Sequence, residues 1–266
     1  GGLTGSGGVS LTGNNTNAIT LNVSGAVSGN NVLGTGAITT GGAASSSYAL
    51  NFNQTGGTAT VGSLSLINPS VFTIGGTGAV AFGAFTQTSG GAPTLTNNNS
   101  GGVSFTTFAL NTGRGGGLII NGSGNTTISG AVSGASKALT YSGSGILTLS
   151  GTNTYTGATA VNSGTLIIQG RAGASAHTIA SGAILEFGAG SSFNQSGATS
   201  IGGAGTLKLT NNGLVFGTAY NITTALSAGG LIWVTNNATI TGSSTNRGIW
   251  NTNLGSLQVD SGSTIN

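Results

Sequence analysis

Charged side chains are almost absent from this chain of 266 residues. They make up 3% of the sequence, five Lys or Arg and two Asp or Glu, whereas about a quarter of an ordinary soluble domain is charged. The two acids, Glu186 and Asp260, lie far apart in the sequence, so we expect no catalytic carboxylate pair. Cysteine is missing altogether, which excludes a cysteine-bound zinc, an iron–sulfur cluster and a catalytic thiolate.

The few cations and the apolar residues are both dispersed. No basic run is present, so the sequence predicts no nucleic-acid partner. No stretch approaches the roughly 18 consecutive apolar residues of a membrane span. The nearest approach to a calcium-binding solenoid nonapeptide, at residues 202–207, has Leu207 where that motif needs Asp. We therefore expect no metal and no cofactor.

Glycine is the residue in excess, with 53 copies against only two prolines. Glycine costs about 1 kcal/mol at each helical position, and the abundant Thr, Asn, Ser and Val are mediocre helix formers. Short alternating runs of Val, Ile, Leu and Phe separated by Gly and Asn are typical of strands joined by tight turns. The composition therefore predicts an all-β chain.

The strands recur with a nearly constant period. Leu147-Thr148-Leu149, Leu166-Ile167-Ile168 and Leu185-Glu186-Phe187 are the same apolar-x-apolar unit at equal spacing, and Leu207-Lys208-Leu209 follows after a slightly longer interval. Farther upstream, the pattern of Val80, Phe82 and Phe85 returns as Val103, Phe105 and Phe108. The phrase at residues 24–29, Ser-Gly-Ala-Val-Ser-Gly, returns at residues 129–134.

A drifting period of about 20 residues predicts a parallel β-solenoid with about 20 residues per coil. Stacked coils lie about 4.8 Å apart, so equivalent apolar residues form inward ladders. We expect one solenoid domain over residues 1–266, and a β-sandwich with regular strand spacing is the alternative. The predicted core ladder consists of Leu147, Leu149, Leu166, Ile168, Leu185, Phe187, Leu207 and Leu209.

The alternation also predicts which side chains face outward. If their strands lie in neighbouring coils, Glu186 and Lys208 stack as an exposed pair of opposite charge, worth under about 1 kcal/mol. The phenylalanines at 82, 85, 105 and 108 are expected to form core ladders. The run at residues 97–99, Asn-Asn-Asn, is expected to stack as an amide ladder at a turn.

The segment 143–168 resembles a known repeat. It contains Leu-Thr-Leu-Ser-Gly at 147–151, Asn-Thr-Tyr-Thr-Gly at 153–157, Thr159, and Val-Asn-Ser-Gly-Thr-Leu at 161–166. In this order these residues resemble the autotransporter-associated β-strand repeat (passenger-associated repeat) of bacterial surface β-helix proteins. The resemblance implies a right-handed parallel β-helix, exported to the cell surface or the extracellular space, in which the repeat is scaffold and Tyr155 is structural.

Two binding or catalytic alternatives remain at this point. Many β-helix proteins act on polysaccharides, but that chemistry needs clustered acids, and nothing in the spacing suggests a catalytic arrangement around His177, so we expect no enzyme. Trp233 and Trp250 each follow an Ile, with Arg247 nearby. Exposed, these three side chains form a platform for surface glycans; otherwise the tryptophans fill or cap the core.

The scarcity of charge suggests a structural role. Natural β-proteins protect exposed strand edges with Lys, Pro or covering elements, and this sequence has few such devices. We therefore expect a non-catalytic extracellular protein that associates with copies of itself, through solenoid ends or edges, into a filament or surface fibre. The alternative is a passenger or adhesin rod that binds glycans or surfaces.

Overall fold

The structure of the protein is a computed structural model. It describes residues 9–13, 19–25, 38–42, 48–67, 70–89, 91–111, 113, 116–172, 176–188, 191, 199–210, 214–216, 220–221, 231–234, 239–242, 256–259 and 264–265. Side chains are described within residues 38–39, 49–66, 71–88, 91–111, 113, 116–172, 176–188, 191 and 201–210. All regular structure in these ranges is β-strand, as the glycine-rich composition predicts.

The strands form parallel sheets that run along the length of the described chain. The first sheet comprises Val9–Gly13, Ile38–Gly42, Leu64–Ile67, Phe85–Ser89, Phe108–Ala109 and Val132–Ser133. The second sheet comprises Ile19–Gly25, Tyr48–Gln54, Ser70–Gly76, Thr94–Asn97, Leu118–Asn121, Leu139–Tyr141, Thr159–Val161, His177–Ile179, Thr199–Gly203 and Tyr220–Asn221. The third sheet comprises Thr58–Val61, Ala79–Phe82, Val103–Phe105, Thr126–Ile128, Ile146–Leu149, Thr165–Ile168, Ile184–Phe187, Thr206–Leu209, Leu231–Val234 and Ser256–Val259. A fourth sheet comprises Leu214–Phe216, Thr239–Gly242 and Thr264–Ile265.

Successive strands of the chain visit the sheets in turn, so each circuit is one coil of a β-solenoid. In the third sheet, an unbroken series of pairings leads from Ala59 to Leu257. This series confirms the predicted solenoid, although several coils, such as the one from Leu207 to Ile232, are longer than the predicted period. The parallel sheets contradict the alternative of a β-sandwich. The right-handed winding stays a prediction, in line with the usual hand of parallel crossovers.

The side of the solenoid formed by the first sheet, here called the first side, changes its strand content along the chain. Through Val132–Ser133 each coil contributes a strand to the first sheet. In the coils that follow, the described residues of this side carry only an isolated bridge between Thr152 and Arg171. In these coils the register partners of the third sheet are closest in sequence, as for Leu147, Leu166 and Leu185. The coils are shorter because they lack the strand of the first sheet. Later in the chain, strands of the fourth sheet follow strands of the third sheet, as strands of the first sheet do in the early coils.

The predicted core ladder is confirmed. Leu147, Leu166, Leu185 and Leu207 are register partners in consecutive coils, and so are Leu149, Ile168, Phe187 and Leu209. All of these side chains are completely buried. The strands alternate buried and partly exposed positions, as in Ile184–Phe187 and Thr206–Leu209, so the period-two pattern of the sequence determines the inward face.

The phenylalanine ladders are also confirmed. Phe82 pairs with Phe105, and their rings stack with centroids 4.9 Å apart. Phe85 pairs with Phe108 in the first sheet, with centroids 4.4 Å apart. Phe105 also meets Phe108 edge to face at 4.7 Å. The two ladders therefore join across the interior and fill the core between the first and third sheets.

The asparagines of the run 97–99 behave differently from the expected amide ladder. The Asn97 amide donates to the Asn125 carbonyl at 2.9 Å and to Thr126 Oγ1 at 3.0 Å, in the following coil. The Asn99 amide donates to the carbonyls of Gly75 and Gly78, both at 2.8 Å, in the preceding coil. Both side chains are fully buried. They bind backbone carbonyls at the turns of the adjacent coils, and Asn97 shares the Asn125 carbonyl with the Val103 amide.

Close stacking at these turns requires glycine at particular positions. Gly122 has a φ of 98°, and a Cβ there would lie 2.1 Å from the Asn97 carbonyl oxygen. Gly102 has a similar φ of 89° but nothing within 4 Å of a built Cβ. A side chain at Gly102 would therefore cost only the strain of its backbone conformation. A side chain at Gly122 would cost the same strain and, in addition, a clash with the neighbouring coil.

We expect Leu166→Ala to lower the free energy of unfolding by about 2–5 kcal/mol, because it opens a cavity within a buried ladder. The control is Thr148→Ala at a partly exposed outward position of the neighbouring strand, with an expected change of about 0.5 kcal/mol or less. Urea unfolding followed by circular dichroism measures both. Equal losses in the two variants would show that Leu166 is not a core residue.

We expect Gly122→Ala to destabilise the protein more than Gly102→Ala. Both variants strain a left-handed backbone, at a cost of roughly 1–2 kcal/mol, but only the alanine at 122 collides with the neighbouring coil. Thermal unfolding of both variants measures the difference. An equal shift of the melting temperature would contradict the close approach of coils at this corner.

Candidate functional site

The most distinctive polar group on the described surface is an ion pair on the third sheet. Glu186 and Lys208 are register partners in consecutive coils, as the alternation predicts. Lys208 Nζ lies 3.1 Å from Glu186 Oε2, and Thr210 Oγ1 donates to Glu186 Oε1 at 2.9 Å. The side chains of Lys208 and Glu186 are 25% and 15% exposed. The pair is therefore held firmly but remains within reach of solvent.

The predicted glycan platform is described only in part. Trp233 lies in the strand Leu231–Val234, where its backbone is the register partner of Lys208. Its side chain lies outside the described set. Arg247 and Trp250 fall outside the described residues, so their proximity to Trp233 stays a prediction. The register places Trp233 one coil beyond the ion pair, a relationship that the sequence spacing of the two tryptophans does not reveal.

His177 is a core residue. It is 1% exposed and takes its place in the second-sheet register between Thr159 and Ile201. Its ring meets the Phe187 ring at a centroid distance of 6.5 Å and an interplanar angle of 66°. A lone histidine near a turn is more often a surface or hydrogen-bonding residue, so the sequence alone does not predict this burial. Asp260, the other acid of the sequence, lies outside the described residues.

Two buried tyrosines differ in how their hydroxyls are satisfied. Tyr155 is completely buried, and its hydroxyl lies 2.8 Å from Thr159 Oγ1. Tyr141 is 2% exposed, and its hydroxyl has no hydrogen-bond partner in the described structure. Burial raises the pKa of each hydroxyl from 10.0 to about 12. Both phenols therefore stay protonated at neutral pH, and Tyr155 is structural, as the resemblance implies.

One further charge is used internally. Lys137 is 4% exposed, and its ammonium donates to the Gly113 carbonyl at 2.8 Å in the preceding coil. No group of three or more His, Cys, Asp or Glu that could hold a metal occurs in the described ranges. Within the same ranges, no helix is long and apolar enough to cross a membrane.

Asn153 and Tyr155 close the coil that lacks a first-sheet strand, at the corner between Ile146–Leu149 and Thr159–Val161. Asn153 Oδ1 accepts from the Val132 backbone amide at 3.0 Å, and its amide donates to the Arg171 carbonyl at 2.8 Å. One amide side chain thereby links three successive coils. Tyr155 follows in the same corner and fills the interior. Together they replace the contacts of the missing strand.

These residues belong to the segment that matches a known family. The passenger-associated-transport-repeat family matches residues 139–168. The chain contains a passenger-associated-transport repeat. The match covers second-sheet and third-sheet strands of two successive coils with the corner of Asn153 and Tyr155 between them.

The repeat and the solenoid fit a passenger-like surface protein of bacteria, surface-bound or secreted. No curated protein and no solved structure matches the chain. The residues of the repeat build and close the coil. The ion pair and Trp233 lie beyond the matched segment, in later coils.

We expect Tyr155→Phe and Tyr141→Phe to differ in sign or size although both remove a buried hydroxyl. The Tyr155 variant leaves Thr159 Oγ1 without this partner, at a cost of about 1–3 kcal/mol. The Tyr141 variant removes a desolvated hydroxyl that has no partner in the described structure, so its stability should be unchanged or higher. The urea concentration at the unfolding midpoint, measured for each variant and for the unmodified chain, gives the change in stability. A larger loss for Tyr141→Phe would contradict this assignment.

Proposed function

We propose that the chain is a non-catalytic section of a bacterial surface rod, and that copies of it associate into a filament or surface fibre. The observation that carries the proposal is a continuous solenoid whose outward surface is almost uncharged. Along the second sheet, outward positions from Ala49 to Ala180 carry no charged residue in the described part of the chain. Surface charge is a principal barrier to association between copies.

Strand edges supply a means of association. Among the described strands, Val9–Gly13 and Ile19–Gly25 are terminal in the first and second sheets, and Ser256–Val259 is terminal in the third sheet. A strand at the end of a sheet offers main-chain donors and acceptors to a further strand. In the proposal, that further strand belongs to another copy of the chain, joined in the same parallel manner as the internal coils.

The non-catalytic character of the rod is supported by the environment of its acids. Both carboxylate oxygens of Glu186 already have partners in the next coil, Lys208 and Thr210. The buried His177 packs against Phe187. Both residues contribute to coil stacking, which accounts for their presence without catalysis.

A passenger rod that binds glycans or surfaces is the second candidate. It is favoured by the register position of Trp233 directly beside Lys208, since tryptophan combines a large apolar face with a polar N–H group. The two candidates are compatible, because self-association uses strand ends whereas ligand binding uses an outward sheet face.

We expect the purified chain to form filaments as its concentration rises at neutral pH. Electron microscopy and static light scattering measure this association. End-to-end pairing should give filaments as wide as one solenoid, and high salt should not dissolve them because few charges are involved. Val71→Lys, at a position that is 49% exposed on the second sheet, should leave filament length unchanged.

A chain that remains monomeric at high concentration would contradict the proposal. Filaments that are several solenoids wide and become thin in the Val71→Lys variant would indicate lateral packing of sheet faces instead of end-to-end pairing.

A further inference from the structure

The outward side of the second sheet carries two parallel columns of neutral side chains, here called the two-column face. The methyl column consists of the register partners Ala49, Val71, Thr94, Ile119, Thr140, Ala160 and Thr178. Two residues farther along each coil, the hydroxyl–amide column consists of Asn51, Thr73, Thr96, Asn121, Ser142, Asn162 and Ala180. Every side chain of the first column carries a methyl group, and every side chain of the second except Ala180 carries a hydroxyl or an amide. All of them are partly or fully exposed.

The spacing of this face is regular in two directions. Adjacent parallel strands lie about 4.8 Å apart, and two residues along a strand span about 6.6 Å. From Ala49 to Thr178 the second-sheet register runs without a shift, whereas the first sheet shifts register between Leu66 and Ile67. The six steps between these coils therefore give a regular face roughly 29 Å long.

The side chains of the face have little freedom to move. Threonine, valine and isoleucine occupy about half of its positions, and their branching at Cβ restricts χ1. In the hydroxyl–amide column, the Asn162 amide donates to Ser142 Oγ at 3.0 Å, so side chains of adjacent coils also hold each other in place. A surface that is ordered before it binds a partner loses less conformational entropy on binding.

The composition of the face favours a neutral and regular partner. No position of the two columns is charged or aromatic. Nucleic acids and acidic polymers bind clusters of Lys and Arg, and protein interfaces are enriched in aromatic residues, Met and Arg. An ordered array of methyl, hydroxyl and amide groups has neither property.

Crystalline water is a partner of the required kind. Hexagonal ice repeats its oxygen atoms at distances comparable to both spacings of the face. Hydroxyl and amide groups both donate and accept hydrogen bonds, so they can take the place of water molecules at the crystal surface. Water beside a methyl group can bond only to other water, which leaves the lattice there intact. A charged side chain would have to give up its hydration against the crystal, and the two columns contain none.

We infer that the two-column face of the second sheet binds ice. Its centre is formed by Thr94, Thr96 and Thr140, each of which supplies both a methyl group and a hydroxyl. The inference adds a ligand to the proposed surface rod, which would meet freezing water outside the cell. It uses neither the strand ends nor contacts between copies of the chain.

Slow growth of ice from a dilute solution tests the inference, because a growing crystal rejects ordinary solutes and retains proteins that bind its surface. The purified chain is held below the concentration at which it forms filaments. We expect it to be enriched in the ice relative to the remaining liquid, and to inhibit the recrystallisation of small ice crystals. A chain that is left in the liquid overturns the inference.

Thr140→Lys and Thr127→Lys form a matched pair of variants. Each replaces the middle residue of a three-residue strand, but only Thr140 belongs to the two-column face. We expect Thr140→Lys to raise the concentration needed to inhibit recrystallisation at least about tenfold, because its ammonium must be dehydrated against the ice. Thr127→Lys, on the third sheet, should change that concentration about twofold or less.

Circular dichroism confirms that each variant is folded, and Ala160→Lys tests the same column one coil farther along if Thr140→Lys does not fold. Equal losses in Thr140→Lys and Thr127→Lys, or full activity of Thr140→Lys and Ala160→Lys, overturn the inference. Exclusion from ice together with thinner filaments in Thr140→Lys would assign the face to packing between copies instead. The filament assay of the unmodified chain does not depend on these results, so failure here is distinct from failure of self-association.

Discussion

Main-chain pairing between parallel coils is the constraint on which the rest of this structure depends. Each coil presents its donors and acceptors to the coils before and after it, and the register fixes which side chains become vertical neighbours. A slip of one residue would turn Leu166 outward and Ile167 inward. The ladders of leucine and phenylalanine oppose such a slip, since they are apolar on one side of every strand. Burial and register therefore reinforce each other.

The turns face a different problem, because backbone that is neither in a sheet nor in water needs other partners. Asn97, Asn99 and Asn153 meet this need by reaching to adjacent coils. Asparagine is well suited to the task because a single side chain both donates and accepts. The asparagine-rich composition is thus a consequence of stacking irregular turns, while the alternating hydrophobic residues account for the strands.

The sequence predicted the solenoid well because its evidence is periodic. The equal spacing of Leu147, Leu166 and Leu185 reappears as their register in the structure, and the outward pairing of Glu186 with Lys208 follows from the same alternation. Loss of the first-sheet strand after Val132–Ser133 could not be predicted, since Asn153 and Tyr155 replace it without any regular pattern. The identical phrases at 24–29 and 129–134 mislead: Ser24–Gly25 ends a second-sheet strand, whereas residues 129–130 follow the third-sheet strand Thr126–Ile128.

The candidate site illustrates the same limit. Sequence spacing drew attention to Trp233 with Trp250 and Arg247, whereas backbone register pairs Trp233 with Lys208, which is in turn the partner of Glu186. The register step from Lys208 to Trp233 is longer than the step from Glu186 to Lys208, so no fixed interval links the three positions. The useful signal was the middle residue of each apolar-x-apolar unit, followed through successive coils.

The interrupted first side has a consequence for how such a rod can change over evolutionary time. The second and third sheets continue through the coils in which the described part of the first side holds only the bridge between Thr152 and Arg171. Two sides therefore preserve alignment while the remaining side tolerates deletion of an entire strand. By the same reasoning, that side can accept inserted loops or whole extra modules with little disturbance of the neighbouring coils, and it is where divergence among related rods should accumulate.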